Sequence, residues 1–324
     1  MNILVYGAGV IGSVYAARLQ EAGYTVSLLA RGERAVLLRA QGIVLENAST
    51  GQRTTTQVSV VEHLAPTDSY DVVIVAVRLN QLASILPDLA ANHQIPIVLF
   101  MLNNPEGMQR LEMLEAQRVV IGFPSIGGAR QGDVIRYIIA PWPVPMTLGE
   151  PDGRVTPRIR QLATTFKRAG FSVGLNSDMQ AWLKTHAIMD VGLLTAIVMT
   201  KGTSAQLGRT RKHVVMMVQA IHEGLLALQA QDIPIMPFSM KALFLWMPRW
   251  LVVMLWQSIL RTPIAALGID AHLNTDAHLN TGDLEEIHQM AREIMGQLQT
   301  SPLATPTLSH LITFLEIPTE AGSV

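Results

Sequence analysis

The chain has 324 residues, and Lys plus Arg (24) nearly balances Asp plus Glu (25), so its overall charge does not point to nucleic acid or an anionic membrane as a partner. It has no cysteine, which excludes disulfides, thiolate catalysis and zinc–sulfur sites and fits a reducing cytoplasm. The length is enough for two domains with a large core.

Met1 leads straight into a short apolar run, Ile3–Tyr6, that reads as a buried strand and stops at Gly7. The glycines that follow fall at Gly7, Gly9 and Gly12, and Ser13–Glu21 continue with helical character. In this spacing the first glycine permits a tight turn, the second lets the backbone approach a pyrophosphate, and the third lets helix and strand pack closely. The segment Gly7, Ala8, Gly9, Val10, Ile11 and Gly12 is therefore a candidate dinucleotide site, with the phosphates at a helix N-terminus. Tyr24–Ala30 form the next predicted strand. An NAD-specific site would place an Asp or Glu near its end to bind the ribose 2′-hydroxyl; this chain has Arg31, a cation suited to a 2′-phosphate, so NADP is the expected cofactor.

Further buried strands are predicted at Tyr70–Val77, Ile95–Met101 and Val119–Phe123, with helical segments between them. Val134–Gly149 reads as antiparallel strands punctuated by Pro141, Pro143 and Pro145, Arg158–Ala169 as a helix and Phe171–Leu175 as a last strand. Beyond Asn176 the pattern turns to long helices at Asp178–Met199, Arg211–Ala230 and Asp283–Gln299. The expected architecture is α/β: a Rossmann-type doubly wound sheet over residues 1–176, then an all-helical domain over 177–324, with Ser177 or Asp178 capping its first helix. Leu243–Leu260 is nearly all apolar and carries Trp246, Trp250 and Trp256, but Pro248 and Arg249 interrupt it. A spanning helix is not expected there; a buried hairpin, an oligomer interface between copies and a membrane-surface contact stay open, with packing preferred. The tandem hexapeptide Asp270–Thr275 and Asp276–Thr281 reads as a short duplication, and no metal is assigned to it.

With these elements in hand, the chain resembles the ketopantoate reductase (2-dehydropantoate 2-reductase) family from its N-terminal Gly-Ala-Gly-Val-Ile-Gly to roughly residue 300. The resemblance implies a Rossmann domain, a helical domain, a cleft between them, and NADPH-dependent reduction of ketopantoate on the route to pantothenate. It implies that Arg31 binds the 2′-phosphate. Arg78 then stands where the family has a lysine near the cofactor, and Asn103 in Met101-Leu102-Asn103-Asn104 on the family's turn asparagine. Gly127-Gly128-Ala129-Arg130 resembles the family's turn before the antiparallel strands. Lys184, in Trp182-Leu183-Lys184 ahead of Leu193-Leu194-Thr195-Ala196, stands at the catalytic lysine. An ammonium there would stabilise the oxygen that becomes an alkoxide and deliver its proton.

The chain also departs from the family. On the lysine's helix the family's two asparagines are replaced by Ile188 and Gly192, its serine falls on Ala271, and its glutamate on Asp283 in Thr281-Gly282-Asp283-Leu284-Glu285. The expected function is reduction of ketopantoate or a more apolar carbonyl substrate by NADPH, with Lys184, Asn103 and Asp283 as catalytic candidates. Two other readings stay open. One is a β-hydroxyacid-type dehydrogenase, whose serine-glycine-glycine turn is echoed by Ser125-Ile126-Gly127-Gly128. The other is a non-catalytic NADP-binding sensor or interaction protein.

Overall fold

The structure is a computed structural model and describes residues 1–139, 145–270 and 281–316, the side chains of 264, 281–283 and 316 excepted. The chain divides into two compact units, Met1–Gln180 and Ala181–Val324.

The first unit opens β1 (Asn2–Tyr6), α1 (Val10–Glu21), β2 (Thr25–Leu29), α2 (Gly32–Gln41), β3 (Ile43–Asn47), β4 (Arg53–Thr56) and β5 (Ser59–Val61). It continues with β6 (Val72–Val75), α3 (Leu79–Ala91), β7 (Val98–Met101), β8 (Val119–Phe123), β9 (Ile126–Gln131) and β10 (Val134–Ile139). It ends with β11 (Met146–Gly149), α4 (Pro157–Arg168) and β12 (Val173–Leu175). The main sheet runs β12-β11-β8-β7-β6-β1-β2-β5, parallel from β5 through β8. From β1 the chain moves outward first through β2 to β5 and then the other way through β6 to β8. The strand order thus reverses beside β1 and β6, where such sheets open a crevice at the carboxyl ends of their strands. The expected parallel doubly wound sheet is present, with one addition: β11 pairs antiparallel to β8 and carries β12 parallel to itself.

Burial follows the apolar runs. Val72–Val75 and Val98–Met101 are buried at every position, as strands covered on both faces must be. On one face Tyr15 of α1 packs edge-on to Phe166 of α4, with ring centroids 5.4 Å apart, and lies 5.1 Å from Phe171. Beyond the end of α3, Arg118 is buried and donates to the carbonyls of Ile95, Leu89 and Asn92 at 2.8, 3.2 and 2.5 Å. A charge out of water is tolerated there because it meets backbone acceptors that the helix end leaves open.

A second sheet, β4-β3-β10-β9, corrects the reading of residues 126–149. Gly127–Arg130 are not a turn but part of strand β9, and the turn to β10 is made at Gly132, whose φ is +59°. β10 pairs antiparallel with β9 but parallel with β3, placing Val134 beside Val44, whereas β11 joins the main sheet. The small residues of β9 are required by neighbours: a Cβ on Gly128 would lie 2.6 Å from the Arg136 carbonyl oxygen and 3.1 Å from Val10 Cγ1 of α1. Pro141 and Pro143 lie outside the described residues.

Among the described residues, every element of the second unit is a helix. Helix α5 (Met179–Met199) begins in the last residues of the first unit, and its Asp178 N–H is held by the Asn176 side chain at 2.8 Å. Alone among the described helices, α5 is by itself long and apolar enough to cross a membrane, and 61% of its apolar window is buried within the fold. It packs on Arg211–Gln229 through interlocked positions. A Cβ on Gly224 would lie 2.7 Å from Ile188 Cγ2, and one on Gly192 would lie 2.6 Å from Ile221 Cγ1. Glu223 accepts from the Thr307 N–H and hydroxyl at 2.7 and 2.6 Å, fixing the start of Pro306–Glu316. Asp270, the first residue of the hexapeptide repeat, accepts from the Ser204 N–H and hydroxyl at 2.7 and 2.9 Å and so caps Ser204–Arg209. Residues 271–280 of the repeat lie outside the description. The apolar segment breaks at Pro248 as its sequence implies, the helical stretches Phe238–Trp246 and Arg249–Ile259 meeting at 120°.

Candidate active site

The turn after β1 is a fold requirement at two glycines and an opening at the third. Gly7 has a φ of +119°, and a Cβ there would overlap the Ala76 carbonyl oxygen at the end of β6. A Cβ on Gly12 would overlap the Gly7 carbonyl oxygen and lie 3.3 Å from Val5 Cγ1. Gly9 is different. It is the extended N-cap of α1, and a Cβ there would meet nothing within 4 Å. The protein itself does not need glycine at position 9; the space in front of it suits a group that must come close to the backbone. The first turn of α1 carries no acidic side chain, and the N–H groups of Val10 and Ile11 belong to the turn without intrahelical acceptors. Such a cradle fits a pyrophosphate.

Arg31 caps α2 through its backbone and folds its guanidinium toward β1. Its Nη2 donates to the Tyr6 hydroxyl at 3.1 Å, its Nε donates to the Glu62 carbonyl at 3.3 Å, and the Asp88 carboxylate stands 3.9 Å away. Tyr6 also donates to Asp88 at 3.3 Å, and burial raises the phenol above its ordinary pKa. The Arg31 side chain is 60% exposed, so the cation is oriented yet open to a ligand. Arg34, in the first turn of α2, reaches across to the Ser13 hydroxyl of α1 at 3.5 Å. Burial, and then the neighbouring Arg130, hold the Arg34 guanidinium below its ordinary pKa, with Asp133 opposing them. Among the described residues its buried Nε has no hydrogen-bond partner. Sequence reading missed Arg34 and Arg130. Arg34 was within reach of it, since Arg31 and Arg34 stand three apart at a helix start; Arg130 arrives from β9 and carries no local signal.

The other candidates of the first unit also follow parallel strands. Arg78 is the half-buried N-cap of α3 just beyond β6, and its N–H donates to Gln81 Oε1 at 3.3 Å. Asn103 follows β7 and is half-buried. The adjacent Asn104 is buried and donates to the Gly107 carbonyl at 2.9 Å, which holds the turn that positions Asn103. Gly7, Arg31, Arg78 and Asn103 thus all lie at the carboxyl ends of β1, β2, β6 and β7. Ser125 is buried and Gly127-Gly128 belong to β9, so the serine-glycine-glycine turn of the β-hydroxyacid reading is absent from these residues.

In the second unit Lys184 is half-buried near the start of α5, and its Nζ donates to Gln297 Oε1 at 3.0 Å. Gln297 in turn donates to Gln231 Oε1 at 2.6 Å, and Gln231 donates to the Gln297 carbonyl at 2.9 Å. An amide pair therefore orients the ammonium. Asp283 starts the helix Thr281–Leu298 and its side chain lies outside the described residues. Gln297 is in the last turn of that helix, so at 1.5 Å per residue positions 283 and 297 lie about 21 Å apart along its axis. The structure does not bring Asp283 to Lys184. His186 stacks on Trp182 at 4.8 Å and lies 3.5 Å from Asp190, and burial pushes its imidazole down to about 3.

Comparison with known proteins bears on this arrangement. The family model described as "Ketopantoate reductase PanE/ApbA" matches residues 3–153. A 2-dehydropantoate 2-reductase of Mesorhizobium japonicum is 27% identical over 260 residues, covering 69% of this chain and 77% of that protein. Among solved structures, a 2-dehydropantoate 2-reductase from Geobacter metallireducens superposes with a TM-score of 0.78 at 17% identity, over 98% of this chain and 99% of that one. A D-mandelate dehydrogenase solved with NADH and anilino(oxo)acetate superposes at 0.75 and 16% identity, over 98% and 97%. At these identities the structural matches establish a shared fold.

Proposed function

We propose that this chain, a divergent member of the ketopantoate reductase family, is an NADPH-dependent reductase of a 2-keto acid, either ketopantoate on the route to pantothenate or a related carbonyl compound with a more apolar side chain. The observation that carries the reading is the open approach to Gly9 at the start of α1, with Arg34 reaching the Ser13 hydroxyl of α1 and Arg31 the Tyr6 hydroxyl of β1. A dinucleotide fits that combination: its pyrophosphate against the open N–H groups and its 2′-phosphate against the guanidinium groups. The family's fold also accommodates NADH, as in the D-mandelate dehydrogenase, so the preference for NADPH rests on this chain's own arginines. Arg78 and Asn103, beyond β6 and β7, are assigned to the cofactor's nicotinamide side and, for Asn103, to the substrate carbonyl.

A dihydronicotinamide, when bound, supplies a hydride to the carbonyl carbon. Lys184 then does the acid work: its ammonium stabilises the oxygen as negative charge develops and gives it a proton. Gln297 and Gln231 keep the amine pointed by accepting and relaying hydrogen bonds. Asp283 has no part in this scheme.

The substrate follows from what lies along α5. Ile188 and Gly192 are occupied in packing against Gly224 and Ile221, so neither offers a polar group to a hydroxy acid. A substrate with fewer polar groups to satisfy is favoured over ketopantoate, since unmet polar groups cost discrimination steeply. NADPH oxidation with ketopantoate beside bulkier apolar 2-keto acids tests the reading: turnover of a 2-keto acid supports it. Tight NADPH binding without turnover of any carbonyl compound would instead favour the sensor.

A further inference from the structure

We infer that the outer face of the bent segment Phe238–Arg261 is a docking surface for an anionic lipid bilayer, independent of the reductase reading. The helix Arg249–Ile259 is apolar on two sides. Val252, Val253 and Trp256 face the unit's interior, while Trp250, Met254, Leu255 and Ile259 are 62%, 53%, 38% and 38% exposed. Of the segment's three tryptophans, Trp256 is the buried one. On the preceding limb Trp246 is 60% and Phe238 64% exposed, their rings packed edge to face at 5.1 Å. An apolar helix face is covered in its working state, and among the described residues this helix is covered on one side only.

Charge selects what covers the other side. From Ile233 to Ile269 there is no Asp or Glu, and the cations are Lys241 within the first limb, Arg249 at the start of the second and Arg261 just past its end. The charge balance of the whole chain conceals this local excess. Lys241 Nζ lies 5.8 Å over the Trp246 ring, and Arg249 Nη1 reaches Gln219 at 2.6 Å, so both cations sit beside the apolar face without interrupting it. Exposed tryptophans between basic residues, with an apolar stripe and no acid, form the pattern of a helix lying in a lipid interface. The core of a protein–protein interface is depleted in charged residues, and lysine is under-represented across such interfaces. The 120° bend at Pro248 and the charge of Arg249 exclude a straight span, so the segment lies on the bilayer and does not cross it.

Co-sedimentation of the full chain with vesicles tests this. Vesicles of phosphatidylcholine and phosphatidylglycerol in equal parts should carry the protein down at low salt and release it in 1 M salt, where the screening length is about 3 Å. Pure phosphatidylcholine vesicles should not carry it. Neutralising Arg249 and Arg261 together as Arg249→Gln and Arg261→Gln should lower partitioning by about thirtyfold. The pair Trp250→Gln and Met254→Gln should abolish it. All four positions are exposed, and an unchanged Tm for each variant separates lost docking from lost folding. Three results would overturn the inference: no binding to the anionic vesicles, equal binding to both vesicle types, or a dimer that ignores vesicles and is dissociated by Trp250→Gln, the last assigning the face to a second copy.

Discussion

Ile188 of α5 fills the notch that Gly224 leaves in the helix Arg211–Gln229, with its Cγ2 2.7 Å from where a Cβ on that glycine would stand. Ile188 is fully buried, and Leu308 closes the same notch from the last helix at 3.3 Å. The residue one turn beyond the candidate catalytic lysine is therefore a packing residue. Ile188→Asn should destabilise the second unit by about 2–4 kcal/mol, from lost apolar contact plus a buried amide without partners. Urea unfolding measures it; wild-type stability in that variant would mean the notch is loose enough for the position to turn to substrate.

Gly9 and Gly12 should separate binding from folding. Gly9→Ala meets no protein atom, so its Tm should stay within a degree or two while NADPH affinity falls about tenfold or more, because the methyl group occupies the phosphate's approach. Gly12→Ala collides with the Gly7 carbonyl and should lower the Tm itself. Thermal unfolding read beside NADPH fluorescence titration distinguishes the two.

Arg31→Ala and Arg34→Ala should each weaken NADPH by about 10–100-fold and leave NADH nearly unchanged, the loss expected for a charged hydrogen bond to phosphate. Arg34→Ala should cost little stability, since it also removes repulsion with Arg130. Equal losses for both cofactors would take the arginines out of the 2′-phosphate site.

Lys184→Ala should lower kcat by about 10²–10⁴-fold with cofactor affinity intact, as loss of a proton donor does. Stopped-flow single turnovers check it. Gln297→Leu, which removes the amide oxygen that accepts from the ammonium, should shift the pH profile of kcat while sparing the NADPH Kd.

His186 makes the second unit sensitive to acid. Its folded imidazole titrates at about 3 against 6.5 when unfolded, so the unfolded chain binds the extra proton between those values. Stability is then full above about pH 6.5 and falls as pH drops toward 3, by about 1.4 kcal/mol per pH unit. Chemical denaturation from pH 7 to pH 4 should show that slope reduced in His186→Gln; an unchanged slope would assign the acid sensitivity to other groups.

The first strand, its glycine turn and α1 were legible because three glycines in six residues constrain the backbone locally, and the chemistry follows from the backbone. The strand ends carrying Arg31, Arg78 and Asn103 were legible for the same reason: apolar β-branched runs announce where each strand stops. The second sheet was not. Strand β4, Arg53-Thr54-Thr55-Thr56, is short and polar, and Gly127-Gly128-Ala129 of β9 has turn composition. Only the β3 partner of β10, remote in sequence, makes them a sheet. Lys184 was named from the family resemblance, by its distance from Leu193-Leu194-Thr195-Ala196, and its catalytic role is a proposal. That Ile188 and Gly192 are used against Gly224 and Ile221 was not legible, since interhelical contact leaves no trace in either helix alone.

The pairing of Val44–Asn47 with Val134–Tyr137 also bears on how the protein is made. While the chain emerges from the ribosome, β3 has β4 on one side and nothing on the other until residues 134–137 arrive. At typical synthesis rates that leaves an open strand edge for several seconds. An exposed edge is where chains join wrongly, so fragments ending before Val134 should be the aggregating ones. The shortest dependable expression fragment of the first unit is then one that runs through β12.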